Sequence, residues 1–258
     1  MAVWRRFVVF ILCVLFIVLF MYFMQQAINY FSYDLAGPSY IVIEPLVAIG
    51  IAEDAARAIY WYFLQLLISL VLVALLYKGD FVEAGFNTRQ IRLSRRIIGW
   101  FVTLYPLLVA GSWLLIYFIA GIEALTGLEA GKSFSYIMQD LLVFGLLPGL
   151  GEEPFFRIVV LKVLSLSLLR TVFDANRLQR GLLILTSALL FSIGHIYVHS
   201  LQPFVISYNS LQLATAFALG LFYAYSYLKT RSILSAVVCH NYSDFIVRLF
   251  FHILVARQ

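Results

Sequence analysis

Glu152-Glu153-Pro154-Phe155-Phe156-Arg157 sets two carboxylates and a guanidinium within six residues of one another, inside a long apolar stretch. Two further polar groups interrupt apolar stretches downstream, Phe191-Ser192-Ile193-Gly194-His195 and His240-Asn241-Tyr242-Ser243-Asp244. Glu153 and Arg157 are four apart, so on a helix they share a face and can form an ion pair that makes both tolerable in an apolar setting. Glu152 is turned by about 100° from Glu153 and cannot share that pair equally. It is the less compensated carboxylate and the candidate general base. His240 and Asp244 stand at i and i+4, so the carboxylate can hold the ring and fix its tautomer. These residue types suffice for hydrolysis: a base for water, and an imidazole to meet an oxyanion or a leaving amine.

A lone histidine in a helix, such as His195, is more often a satisfied core residue than a catalytic one. Cost argues for the functional reading. Insertion scales charge roughly 2.5–3.5 kcal/mol for an Asp, Lys or Arg at the centre of a membrane helix, and the whole set sums to the order of 10 kcal/mol, comparable to a domain's stability. The backbone around the carboxylates points the same way. Pro148, Gly149, Gly151 and Pro154 weaken the helix, and the amides and carbonyls so freed need protein or water partners, which backbone at membrane depth finds only beside a cavity.

The elements that must position these residues are helices in lipid. Hydrophobic residues make up 63% of the 258 and charged residues 12%, against about 45–50% and 25% in ordinary soluble domains; mean hydropathy is +0.96. Seven runs are long enough to span a bilayer: Phe7–Met24, Ala58–Tyr77, Ile97–Ile119, Ile137–Leu169, Gly181–Ser200, Asn209–Leu228 and Ile233–Val255. An eighth, Tyr40–Ala52, holds Glu44 and Pro45 and is too short to cross. The expected fold is all-α, a polytopic bundle of about seven to eight spans around a buried polar active-site cavity. The chain reads as one integral membrane domain over 1–258, with a catalytic core over 134–255.

Basic residues orient it. With the N-terminus in the cytoplasm, Arg5, Arg6, Lys78, Arg89, Arg92, Arg95, Arg96, Arg170, Arg177, Arg180, Lys229 and Arg231 fall on that side. The opposite loops hold mainly Asp34, Glu44, Glu53, Asp54, Glu123 and Glu129, as the positive-inside rule requires. Topology thus accounts for the net charge of +5, which speaks for no nucleic-acid partner. Segment Lys78–Arg96, with Ile91 and Leu93 among arginines, reads either as an amphipathic elbow on headgroups or as arginines flanking a span. Cys13 and Cys239 fall within spans and imply neither a disulfide framework nor a zinc ribbon.

The ordered set Glu-Glu-x-x-x-Arg, Phe-x-x-x-His and His-x-x-x-Asp, here Glu152 to Arg157, Phe191 to His195 and His240 to Asp244, resembles the CAAX prenyl endopeptidase and bacteriocin-processing family of intramembrane proteases, also called the Abi family. The resemblance covers roughly Phe134 to Val255. It implies that Glu152 is the catalytic glutamate, with Glu153 and Arg157 as neighbours, His195 from a second helix and His240 with Asp244 from a third. It implies cleavage of a protein or peptide substrate near the membrane surface, prenylated or otherwise membrane-anchored in some members. Two positions depart from the family: Ile158 stands where a small residue is common, and Asp244 where many members carry asparagine. The implied setting is a bacterial or archaeal plasma membrane.

On the residues themselves, Glu152 assisted by His195 would deprotonate water, and His240 held by Asp244 would meet the oxyanion or the leaving amine. No cofactor is needed for this. A zinc site using His195, His240, Glu152 and Asp244 is the alternative, although the His-Glu-x-x-His helix motif is missing. A proton-coupled transporter would also bury such groups, but it predicts acidic residues in both halves, and the first three spans lack them. His199 and His252 read as structural, His252 because no acidic partner lies near it in sequence.

Overall fold

The computed structural model describes residues 2–33, 38–120, 133–167, 172–201 and 204–255. Asp34, Glu123, Glu129 and Arg170, four of the charges that orient the chain, lie outside them. Helix α1 is Ala2–Ser32, α2 Tyr40–Ala48, α3 Glu53–Leu76, α4 Phe81–Ala84 and α5 Ile91–Ala120. Helices α6 Phe134–Leu146, α7 Pro148–Glu153 and α8 Val160–Leu166 follow, with a π-helical turn, Pro154–Val159, between α7 and α8. The chain then forms α9 Arg177–Ile193, a hairpin of β1 Tyr197–Leu201 and β2 Phe204–Ser207, α10 Ser210–Thr230 and α11 Leu234–Val255.

Five of these segments are long and apolar enough to cross a membrane: α1, α3, α5, the broken helix Phe134–Leu166 and α10. The architecture is an all-α, multi-pass bundle. The sequence count of seven is reduced in two places. The run at Gly181–Ser200 does not stay helical, because α9 has only 17 residues and ends at Gly194, after which Tyr197 onward pairs antiparallel with β2. His195 therefore stands in the turn after a helix, its amide bonded to the Ser192 carbonyl. The run at Ile233–Val255 is one continuous helix, but its inward face carries His240, Asp244, Arg248 and His252. Helix α2, nine residues around Pro45, is too short to cross, as expected.

The broken helix sets the geometry of everything inside. Pro148 opens α7 at a position where its missing N–H is no loss. Pro154 lacks the donor that would continue an α-helical ladder, and the turn widens: the Val160 amide reaches back to the Phe155 carbonyl, a π-helical bond. The Phe156 carbonyl receives the Ser187 hydroxyl instead. The freed Gly149 amide donates to Asn241 Oδ1 at 2.7 Å. Thus the backbone groups released by the prolines are satisfied by α9 and α11, and the break is bolted to both.

The largest apolar core gathers Ile17, Met21 and Ile28 of α1, Val73 of α3, Phe155 and Leu161 of the broken helix, and Leu190 of α9. Phe20 stacks on Phe155, centroids 5.8 Å apart. Leu107, Leu115 and Phe118 of α5 are exposed and do not line the central cavity, and hydrocarbon is their natural solvent. The Lys78–Arg96 segment folds back on the bundle: Phe81 and Phe86 pack against the core, the Tyr227 hydroxyl donates to the Ala84 carbonyl, and Gly85 (φ +118°) leaves no room for a Cβ beside Tyr227.

Candidate active site

Glu153 and Arg157 are fully buried, and Arg157 Nε donates to Glu153 Oε2 at 2.8 Å. The guanidinium also donates to Ser187 Oγ of α9 at 2.9 Å and lies over the Phe191 ring, 4.9 Å from its centroid. One arginine thereby joins α7, the π turn and α9, with Glu153 as its counter-charge.

The second oxygen of Glu153 does what the sequence reading gave to Asp244. His240 Nδ1 lies 2.8 Å from Glu153 Oε1. A carboxylate already paired with arginine accepts, so Nδ1 carries the proton and donates. Asp244 is instead near the other nitrogen, its Oδ2 3.5 Å from Nε2, too far for a good hydrogen bond. Glu152 Oε2 is 4.0 Å from the same Nε2. The expected role of Asp244 as the group that holds the ring is thus corrected. Spacing within one helix made it the nearest candidate, but Glu153, from a helix 87 residues away in sequence, has the shorter and better aligned contact. The Tyr223 ring stacks on His240 at 5.0 Å and Phe191 meets it edge-on at 5.6 Å, so the imidazole is clamped on both sides.

His195 is fixed by a local bond, its Nδ1 2.8 Å from the Phe191 carbonyl. A carbonyl only accepts, which leaves Nε2 as the bare acceptor nitrogen. Glu152 Oε2 is buried and has no hydrogen-bond partner among the described residues. Glu152, His195, His240 and Asp244 all line one cavity of about 2210 Å³. The two neighbouring serines are occupied elsewhere: Ser192 Oγ donates to the Leu213 carbonyl, and buried Ser243 donates to the His240 carbonyl. Cys239 is fully buried.

Two groups escaped the sequence reading. His252 Nε2 is 2.9 Å from Asp140 Oδ2, and Arg248 donates to Asp140 Oδ1 at 2.6 Å. His252 therefore has an acidic partner, supplied by α6, 112 positions away. Gln65 of α3 is buried against the cavity, its Oε1 without a hydrogen-bond partner among the described residues. No local spacing announces either; only the packing of α3 and α6 on α7 and α11 brings them in. His199, read as structural, bonds Ser207 across the hairpin at 2.7 Å.

Among the described residues no three His, Cys, Asp or Glu side chains are grouped closely enough to hold a metal ion.

Compared with protein families, residues 134–246 match the model described as Type II CAAX prenyl endopeptidase Rce1-like. This segment belongs to the CAAX prenyl endopeptidase family. The match runs from the first turn of α6 to the middle of α11 and contains every residue of the site built above except those of α3 and the distal end of α11. The protein is therefore a membrane peptidase whose substrates are membrane-associated peptides or proteins. Neither the curated proteins nor the solved structures gave a match.

Proposed function

We propose that this protein is an intramembrane endopeptidase in which Glu152 activates a water for attack on a peptide carbonyl. The observation that carries this reading is the division of labour between the paired glutamates. Glu153 is consumed by Arg157 and His240, whereas Glu152 faces His240 Nε2 across 4.0 Å, a gap that a water can bridge. Glu152 takes a proton as the water oxygen bonds to the carbonyl carbon. His195 Nε2, a fixed acceptor, holds the water's other hydrogen. His240, with Nδ1–H anchored on Glu153, presents a protonated Nε2 to the oxyanion of the tetrahedral intermediate. Glu152 then returns its proton to the leaving nitrogen, the C–N bond breaks, and acid and amine products depart. Asp244, beside Nε2, holds the imidazolium form of His240 by its charge.

The chemistry needs no covalent nucleophile and no metal. Purified protein assayed on a quenched fluorogenic peptide in liposomes should keep its activity after treatment with a chelator. Activity lost on stripping and regained with added zinc would replace the Glu152 mechanism with a metal-activated water.

A further inference from the structure

A polar cluster near the end of α11 lines the same cavity as Glu152 and His240 and has no part in the reaction above. Asp140 of α6 is buried, and both its oxygens are engaged, Oδ1 by Arg248 Nη1 at 2.6 Å and Oδ2 by His252 Nε2 at 2.9 Å. Phe144, one turn further along α6, meets the guanidinium face, its ring centroid 4.2 Å from the Arg248 Cζ. Carboxylate and ring together fix the plane of the arginine. They use little of its bonding capacity. A guanidinium carries five N–H donors in a rigid fork, and among the described residues the bond to Asp140 is the only hydrogen bond Arg248 makes. Its side chain is 36% exposed against 10% for Asp140 and for His252, so Arg248 is the open member of the cluster.

Charge singles the position out. Arg248 is the only Lys or Arg among the described residues that line the cavity, and apart from histidines the other ionisable side chains of opposite sign there are Asp140, Glu152 and Asp244. An anionic group brought in with a substrate is repelled by Glu152 and Asp244 and meets a permanent cation at Arg248 alone. The spacing is that of a peptide. Arg248 follows His240 by eight residues on one continuous helix, about 12 Å along the axis, which is the reach of roughly three or four residues of extended chain.

We propose that Arg248 is a carboxylate-binding subsite that sets which bond of the substrate is cut. The donors not used by Asp140 take a carboxylate of the peptide, at a chain end or on an acidic side chain, three or four residues from the scissile bond. Holding the peptide at that point keeps one carbonyl, and not its neighbour, in front of the water on Glu152. Asp140, His252 and Phe144 are positioning residues that hold the arginine. The inference rests on the peptidase reading for the bond that is cut.

The test uses quenched fluorogenic peptides of uncharged residues in matched pairs, with the native chain in liposomes. One pair differs only in a terminal carboxylate against a terminal carboxamide. The other is amide-ended and carries aspartate or asparagine three or four residues to either side of the bond the native chain cleaves. An acidic member with a KM about ten- to a hundredfold below that of its neutral partner is expected, the range of a charge-assisted bond; preference in the first pair identifies a chain end, in the second a side chain. Equal KM within both pairs overturns the proposal. Arg248→Gln should bring the ratio of the two KM values close to one, and Arg248→Lys, which keeps the charge without the fork, should retain part of it; an undiminished preference in Arg248→Gln overturns the proposal. The native ratios need no substitution and decide the matter even where Arg248→Gln fails to accumulate. Binding of the same peptides to Glu152→Gln, followed by fluorescence anisotropy, needs no turnover. Preference for the acidic member there, with no cleavage by the native chain, overturns the peptidase reading and leaves the subsite standing. Cleavage by the native chain with no preference in either measurement overturns the subsite alone.

Discussion

Glu153 and Asp244 both stand beside His240, and their geometry separates their contributions. Glu153 holds Nδ1 and is the only carboxylate bonded to buried Arg157 among the described residues. Replacing it with glutamine leaves a buried guanidinium without its counter-charge, a change that costs about 3–5 kcal/mol. Glu153→Gln should therefore lower accumulation in the membrane and reduce cleavage by roughly 100-fold or more. Asp244→Asn keeps size and polarity at a partly exposed position, so normal accumulation and a loss within about tenfold are expected. Western quantification with cleavage rates in the same membranes checks both; a collapse of Asp244→Asn with Glu153→Gln near native would reverse the assignment. At this scale the sequence was half legible. Spacing of four showed the Glu153–Arg157 pair, because helical geometry is local. It could not show which carboxylate reaches His240, since that partner comes from 87 residues away, nor that Asp140 joins Arg248 and His252 across more than a hundred.

The broken helix is the element that turns Glu152 toward the cavity and keeps Glu153 and Arg157 buried behind it. The prolines and glycines showed from sequence that the helix must weaken, but not how it is repaired, because the repair is tertiary: Asn241 takes the Gly149 amide and Ser187 the Phe156 carbonyl. A Cβ on Gly149 would stand 2.6 Å from Asn241 Oδ1 and 2.8 Å from the Val237 carbonyl oxygen, and backbone on α11 cannot step aside cheaply. Gly149→Ala should push α11 away from α7, cost about 1–3 kcal/mol, and widen the spacing between Glu152 and His240. A fall in detergent thermal-unfolding temperature together with a lower kcat is the expected result; native kcat would show that the close approach of the two helices is dispensable. The end of α9 at Gly194 is a second case in which apolar composition misled: the run up to Ser200 is hydrophobic enough to continue, but Gly194 releases the chain and the next residues find β2 as a partner.

Across the whole molecule, the N-terminal helices carry no motif legible in the sequence, and the structure gives them a wall to build. Gln65 is their polar contribution, a cavity-lining residue whose buried Oε1 has no hydrogen-bond partner among the described residues. A carbonyl left so costs about 1–3 kcal/mol, which a substrate amide entering the cavity would relieve. Gln65→Leu should accumulate at least as well as the native chain and raise KM for peptide by several-fold with a smaller change in kcat. Unchanged KM would reduce Gln65 to packing.

The central claim is that Glu152, and not its neighbour, activates the water. Glu152→Gln preserves shape and volume, and Oε2 has no bonded partner to lose, so the variant should accumulate, insert and unfold like the native protein. Its cleavage rate on one fluorogenic peptide, measured with purified protein in liposomes, is the decisive quantity. The account predicts a loss of roughly 100-fold or more with an unchanged unfolding temperature; near-native turnover by Glu152→Gln would contradict it.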